Sequence, residues 1–138
     1  MKSKKWFELQ NALDGIDLTV TMEGTGSATA KLFPDGKIVV DATAAQAAKY
    51  VNLSTPFGIK VLDAHSIHGN DTACKWAIAN TTDDIISAVN VADSDTDIDR
   101  AADLNDAYQE FAADDNDLRI DIGVAAFTGL LVIDVQFT

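Results

Sequence analysis

The sequence predicts a mainly β protein: an antiparallel β-sandwich with two or three short helices and an N-terminal arm. Three observations carry that prediction. Leu118, Ile120, Ile122 and Val124 alternate with Arg119, Asp121 and Gly123, a period of two that puts one apolar face against a core. After a connection from Ala125 to Gly129, Leu131, Ile133, Val135 and Phe137 alternate with Val132, Asp134 and Gln136, and two such runs joined by a few residues containing Gly read as an antiparallel hairpin. Pro34-Asp35-Gly36 between Ala28–Phe33 and Lys37–Val40 is a second hairpin signal: Pro pre-sets φ, Asp bonds back to its own backbone, and Gly takes the positive φ.

The totals narrow the classes. The 138 residues suffice for one core without disulfides or metals. Ten Lys and Arg against 22 Asp and Glu give a net charge of -12, which disfavours nucleic acid and anionic membrane as partners. Residues 1–60 hold seven basic and six acidic side chains (+1), whereas residues 61–138 hold three and 16 (-13). The first part is therefore suited to an acidic surface and the second to solvent. Cys74 is the single cysteine, so no internal disulfide forms and a reducing compartment is expected. Glu8 and Gln10 interrupt the basic start before any apolar run, and no run is long enough to span a bilayer, so a soluble chain is expected.

Taken in order, Lys4 to Leu13 places Trp6, Leu9 and Leu13 on one helical face with Asp14-Gly15 as the stop, or else forms an extended arm. Lys4, Lys5, Trp6 and Phe7 form a basic-aromatic cluster. It reads either as a cap on one end of the sandwich or as a docking site, since aromatics beside cations anchor interfaces well. Ile16 to Met22 alternates as one half-buried strand, and Gly24 to Ser27 is a turn. Ala-rich Asp41 to Tyr50 reads as a short helix capped by Asp41 or Thr43, with Lys49 at its negative end. Asn52 to Pro56 reads as a linker, dividing an N-terminal arm and hairpin segment (1–56) from a sandwich body (57–138), unless the two are one continuous domain.

Phe57 to Ile67 is apolar on both faces, Ile59 and Val61 on one and Leu62 and Ala64 on the other, as an inner strand would be. After the turn His68 to Asp71, Ala73 to Ala79 is a strand with Cys74, Trp76 and Ile78 on one face. Ile85 to Val91 is a short strand or helical turn. Asp103 caps a helix of about two turns, with Leu104, Ala107, Tyr108, Phe111 and Ala112 on one face. Asp114 to Asp117 is a polar turn into the final hairpin. About eight strands result, which argues for a sandwich.

Catalytic motifs are missing, and neither an enzyme nor a cofactor is expected. The glycines at 24 and 26 match neither a phosphate loop nor a dinucleotide fingerprint. Asp93, Asp95, Asp97 and Asp99 invite a calcium reading, but the EF-hand glycine and terminal glutamate positions are filled by other residues. A solvated acidic strip is expected there, one that also discourages edge-to-edge aggregation. His65 and His68, near Asp63 and Asp71, lack a third zinc ligand, because Cys74 lies in an alternating strand. Ser66 with His65 has no nucleophile-elbow motif around it. Trp76 and Tyr108 lie on apolar faces and are expected in the core.

The second part also resembles a known family. Gly58-Ile-Lys-Val-Leu-Asp63, a Gly-Asn-Asp turn, Cys74-Lys-Trp-Ala-Ile-Ala-Asn80, Ile85-Ile-Ser-Ala-Val89, Asp103-Leu-Asn-Asp-Ala-Tyr108 and Leu118-Arg-Ile-Asp-Ile122 follow one another. This order is similar to the jelly-roll-like β-sandwich of capsid decoration (cement) proteins of tailed bacteriophages. Asp115-Asn116-Asp117 replaces the Gly-Asp turn of their pattern. The resemblance implies a structural virion protein, made in the host cytoplasm, that sits as a homotrimer on the capsid where major capsid protein subunits meet. It also implies docking through an N-terminal arm, here Lys4, Lys5, Trp6 and Phe7. A calcium-assisted carbohydrate-binding sandwich of a fibre or adhesin, using Asp93 to Asp99, is the alternative.

Overall fold

The structure is a computed structural model that describes residues 14–68, 74–81, 83–91, 98–100 and 104–138. Its strands are β1 (Ile16–Asp17), β2 (Thr19–Met22), β3 (Ser27–Phe33), β4 (Lys37–Ala45), β5 (Tyr50–Ser54), β6 (Ile59–His68), β7 (Cys74–Asn80), β8 (Asp83–Val91), β9 (Ile98–Arg100), β10 (Glu110–Phe111), β11 (Leu118–Gly123) and β12 (Phe127–Phe137). They form two antiparallel sheets. The large sheet runs β1-β3-β4-β12-β6-β10, with β9 also on β6, and the small sheet runs β2-β5-β11-β7-β8. Alternate residues of both sheets, among them Leu32, Ile38, Ile133, Val61, Leu53, Ile120 and Trp76, merge into one buried cluster. The indole N–H of Trp76 on β7 donates to the hydroxyl of Ser66 on β6 at 2.8 Å, a buried polar tie between the sheets.

The Pro34-Asp35-Gly36 hairpin is as expected: β3 pairs β4 from Ser27 with Thr43 to Phe33 with Lys37, and Gly36 has φ 86°. The closing strands are not. β11 and β12 alternate as the sequence requires, yet they do not pair with each other. β11 lies between β5 and β7, and β12 lies between β4 and β6 in the opposite sheet. Residues 124–126 carry the chain across the core. Alternation states which face is buried and is silent about the neighbour.

The helices expected at Asp41–Tyr50 and from Asp103 are corrected, since no helix occurs among the described residues, and the helical turns expected at Lys4–Leu13 lie outside them. β4 continues through Asp41–Ala45, where Ala42 and Ala45 are buried and the small side chains admit the facing sheet. Residues 104–109 form turns. The Asn105 side chain accepts the Ala107 N–H, a local bond that competes with a helix, and Phe111 pairs Ile59. The Asn52 to Pro56 linker is instead mostly β5, paired on both sides. The single strand expected over Ile16 to Met22 breaks at Leu18, which leads from the edge of the large sheet to the edge of the small one.

β6 is an inner strand, but a bulge changes its faces. Its register against β12 slips between Asp134 and Val135, so Ile59, Val61, Ala64 and Ser66 are all buried and Leu62 is exposed. Gln109 braces that bulge, its backbone carbonyl accepting the Val61 N–H and its side-chain amide donating to the Val61 carbonyl, both at 2.8 Å.

Candidate functional site

Lys4, Lys5, Trp6 and Phe7 lie outside the described residues, as do Asp93, Asp95, Asp97, Asp71 and Asp103. The backbone of Asp99 pairs with Ser66. Cys74 is buried in the core, as expected. Trp76 is fully buried, but Tyr108 is exposed, because its predicted helical face does not form. His65 occupies the outer face of β6 opposite Val132, with Nδ1 buried and without a hydrogen-bond partner among the described residues. Ser66 faces the core and is bonded to Trp76, so the two neighbours cannot act as a catalytic pair. Among the described residues no three His, Cys, Asp or Glu side chains converge on a metal position.

The small sheet carries a cluster that the sequence did not reveal. Alternation in β5 and β11 turns Tyr50, Asn52, Arg119 and Asp121 away from the core. Asn52 is buried there, its amide donating to the Asn116 carbonyl at 2.8 Å. The register sets Arg119 opposite Asn52 and Asp121 opposite Tyr50. The Arg119 guanidinium lies 4.6 Å from the Tyr50 ring centroid and 2.9 Å from the Asp121 carboxylate. Glu23 closes the group. Hydrogen bonds from the Tyr50 hydroxyl and from Lys49 hold its carboxyl below the ordinary value, and the same Glu23 bond pushes the Tyr50 phenol up. Each charge already has a partner inside the cluster. The sequence signal was the i, i+2 spacing of Tyr50 with Asn52 and of Arg119 with Asp121.

Where the chain switches sheets at Leu18, a groove of about 260 Å³ is lined by Ile16, Asp17, Leu18, Thr19, Ser54, Pro56 and Asp114. Asp17 is tied to Lys31 at 3.4 Å, and two carboxylates fall short of a cation site. A third feature lies on the arch between the sheets. Val124 is 74 % exposed with φ 70°, and Ala125 N–H donates to the Gly123 carbonyl at 2.8 Å, a γ-turn with positive φ at a β-branched residue.

The outer face of the large sheet is different again. Leu130 and Ile67 are exposed and directly opposite each other. Val39 and Val132 form the next row, half-buried and also opposite. Lys37 pairs with Asp134 on the same face, an ion pair that raises the lysine pKa.

No family model, curated protein or solved structure matches the chain.

Proposed function

We propose that this protein is a capsid decoration protein of a tailed bacteriophage, a non-catalytic binding module with a jelly-roll-like sandwich. It binds the outside of the capsid as a homotrimer and bridges neighbouring major capsid subunits. The observation that carries the reading is the ordered run of strand and turn motifs over residues 57–138, read with the charge split of +1 and -13. A protein that binds only the assembled shell stabilises that shell by mass action. Lys4, Lys5, Trp6 and Phe7 provide the capsid contact, and the acidic part faces solvent.

The test begins with solution mass by multi-angle light scattering, with and without EDTA. A trimer indifferent to EDTA supports the reading. Occupancy on purified heads of tailed phages follows: Trp6→Ala with Phe7→Ala keeps the fold and lowers occupancy. Unchanged occupancy would remove those residues from the site, and no binding to any head would remove the function.

A carbohydrate-binding sandwich of a fibre or adhesin is the second reading. It is favoured by Tyr50, Arg119 and Asp121 on the outward face of the small sheet, with Asp93, Asp95, Asp97 and Asp99 as its calcium ligands. A calcium-dependent rise in Tm together with binding on a glycan array would replace the first reading with this one.

A further inference from the structure

We propose that residues 104–109 form a strap that opens as one unit while both sheets stay folded. The strap lies in the chain between β9 and β10, and both of those short strands pair with β6 of the large sheet. Its middle reaches the small sheet instead, where the Asn105 N–H donates to the Ile85 carbonyl of β8 at 2.6 Å. The strap therefore clasps the two sheets along one side of the sandwich. At the opposite edges, β1 and β2 are joined by the chain itself through Leu18.

Little apolar burial holds the strap down. Residues 104–108 are all exposed, Leu104 and Tyr108 among them, and only Gln109 is buried. Its attachment is polar. Besides the bond at Asn105, the Val61 N–H donates to the Gln109 carbonyl and the Gln109 side-chain amide donates to the Val61 carbonyl, both at 2.8 Å. The Asn80 side chain donates to the carbonyls of Tyr108 at 3.1 Å and Glu110 at 3.3 Å. Such bonds are exchanged for bonds to water at small net cost, and a segment with few buried apolar contacts opens before the fold as a whole.

The sheets stay paired without it. β8 is held to β7 from Asp83 to Val91, and β6 is held to β12 from Ile59 to His68. Phe111, buried and paired with Ile59, marks where the opening stops. Opening releases the Val61 N–H and carbonyl, in the gap on β6 between β9 and β10, together with the Ile85 carbonyl on β8. Backbone groups of both sheets thus become accessible on one side at once. This inference concerns the free protein and does not rest on the capsid reading.

Native-state amide exchange of the full chain, followed by NMR, provides the test, because the strap protects the N–H of Val61 on one side and its own Asn105 N–H on the other. Both are expected to share one protection factor, at least about 100-fold below those of the central β12 amides. Low urea should change it little, since a local opening exposes little surface. Asn80→Ala removes the bonds to Tyr108 and Glu110 and should lower both protection factors equally, by about tenfold, with β12 unchanged. Protection of Val61 and Asn105 equal to that of β12 overturns the proposal, because the strap then opens only with the whole fold. A response to Asn80→Ala in one amide alone, or in neither, does the same, because the segment is then not one unit. So does an unprotected Asn105 amide, because the strap is then not closed. Loss of head binding alone leaves this reading standing and counts against the capsid reading instead.

Discussion

The two sheets share one core but treat their outer faces in opposite ways. On the small sheet, Tyr50, Arg119, Asp121, Glu23 and Lys49 form one cluster of ion pairs and a cation–π contact. On the large sheet, Val39, Val132, Leu130 and Ile67 occupy the middle rows, flanked by the Lys37–Asp134 and Lys31–Asp17 ion pairs. Strand alternation alone therefore does not make an outer face inert. What matters is whether the outward side chains meet a partner in the adjacent strand. The small sheet joins such partners into one cluster across β5 and β11, whereas on the large sheet the paired charges stand on either side of an apolar stripe.

Several substitutions would break or sharpen this contrast. The largest effect is expected where the sheets meet. Trp76→Ala opens the shared core and should cost about 3–5 kcal/mol, read by denaturant unfolding. Ser66→Ala keeps the packing but leaves the indole N–H unsatisfied and should cost about 1–3 kcal/mol. If Ser66→Ala proves neutral, the tie between the sheets is not structural. Gln109→Ala should cost a similar ~1–3 kcal/mol, because it strips the brace from the β6 bulge. Its effect should appear first as faster amide exchange at Val61.

Smaller effects are expected at the surface. Val124→Gly relieves the positive φ at an exposed position and should stabilise by about 1 kcal/mol, since little apolar contact is lost. A loss of stability would mean that the valine side chain holds the arch. Arg119→Met removes the stacking and the ion pair and should cost at most about 1 kcal/mol, with the small-sheet face then resembling the large one. The pH dependence is smaller still. Glu23 is held below its ordinary value of 4.5, so its contribution is present above that pH and fades as the pH falls through the lowered value. Glu23→Gln should flatten the acid limb of the Tm-against-pH curve. Lys37 behaves in the opposite sense: its raised pKa means that its contribution persists through neutral pH and is lost only as the pH rises through the raised value.

What could be read from the sequence followed from local physics. Alternation located β11, β12 and β7 and the residues they bury, and Pro34-Asp35-Gly36 located a hairpin with its register. The unread parts depended on distant partners. Nothing near Leu118 states that its neighbours are Leu53 and Asn80. The Ala-rich stretch at Asp41 has helix propensity, but it is drawn into β4 by pairing with β3 and β12. The bulge at Leu62 inverted part of a face assignment that assumed a regular period. The Tyr50–Arg119 cluster joins residues far apart in the chain that only the β5–β11 register brings together.

The crossing from β11 to β12 has a consequence for the order of folding. Each of these strands is the middle of its sheet: without β11 the small sheet separates into β2-β5 and β7-β8, and without β12 the large one separates into β1-β3-β4 and the strands around β6. Both central strands come from the last stretch of sequence, and their partners lie tens of residues away. Their loop-closure entropy must be lost before either sheet gains its centre, which places this chain among slow folders, on the order of milliseconds to seconds. Until that step, β5, β7, β4 and β6 each present an open edge. The acidic excess of residues 61–138 then works in time as well as in space, keeping half-assembled chains apart while they wait for the closing strands.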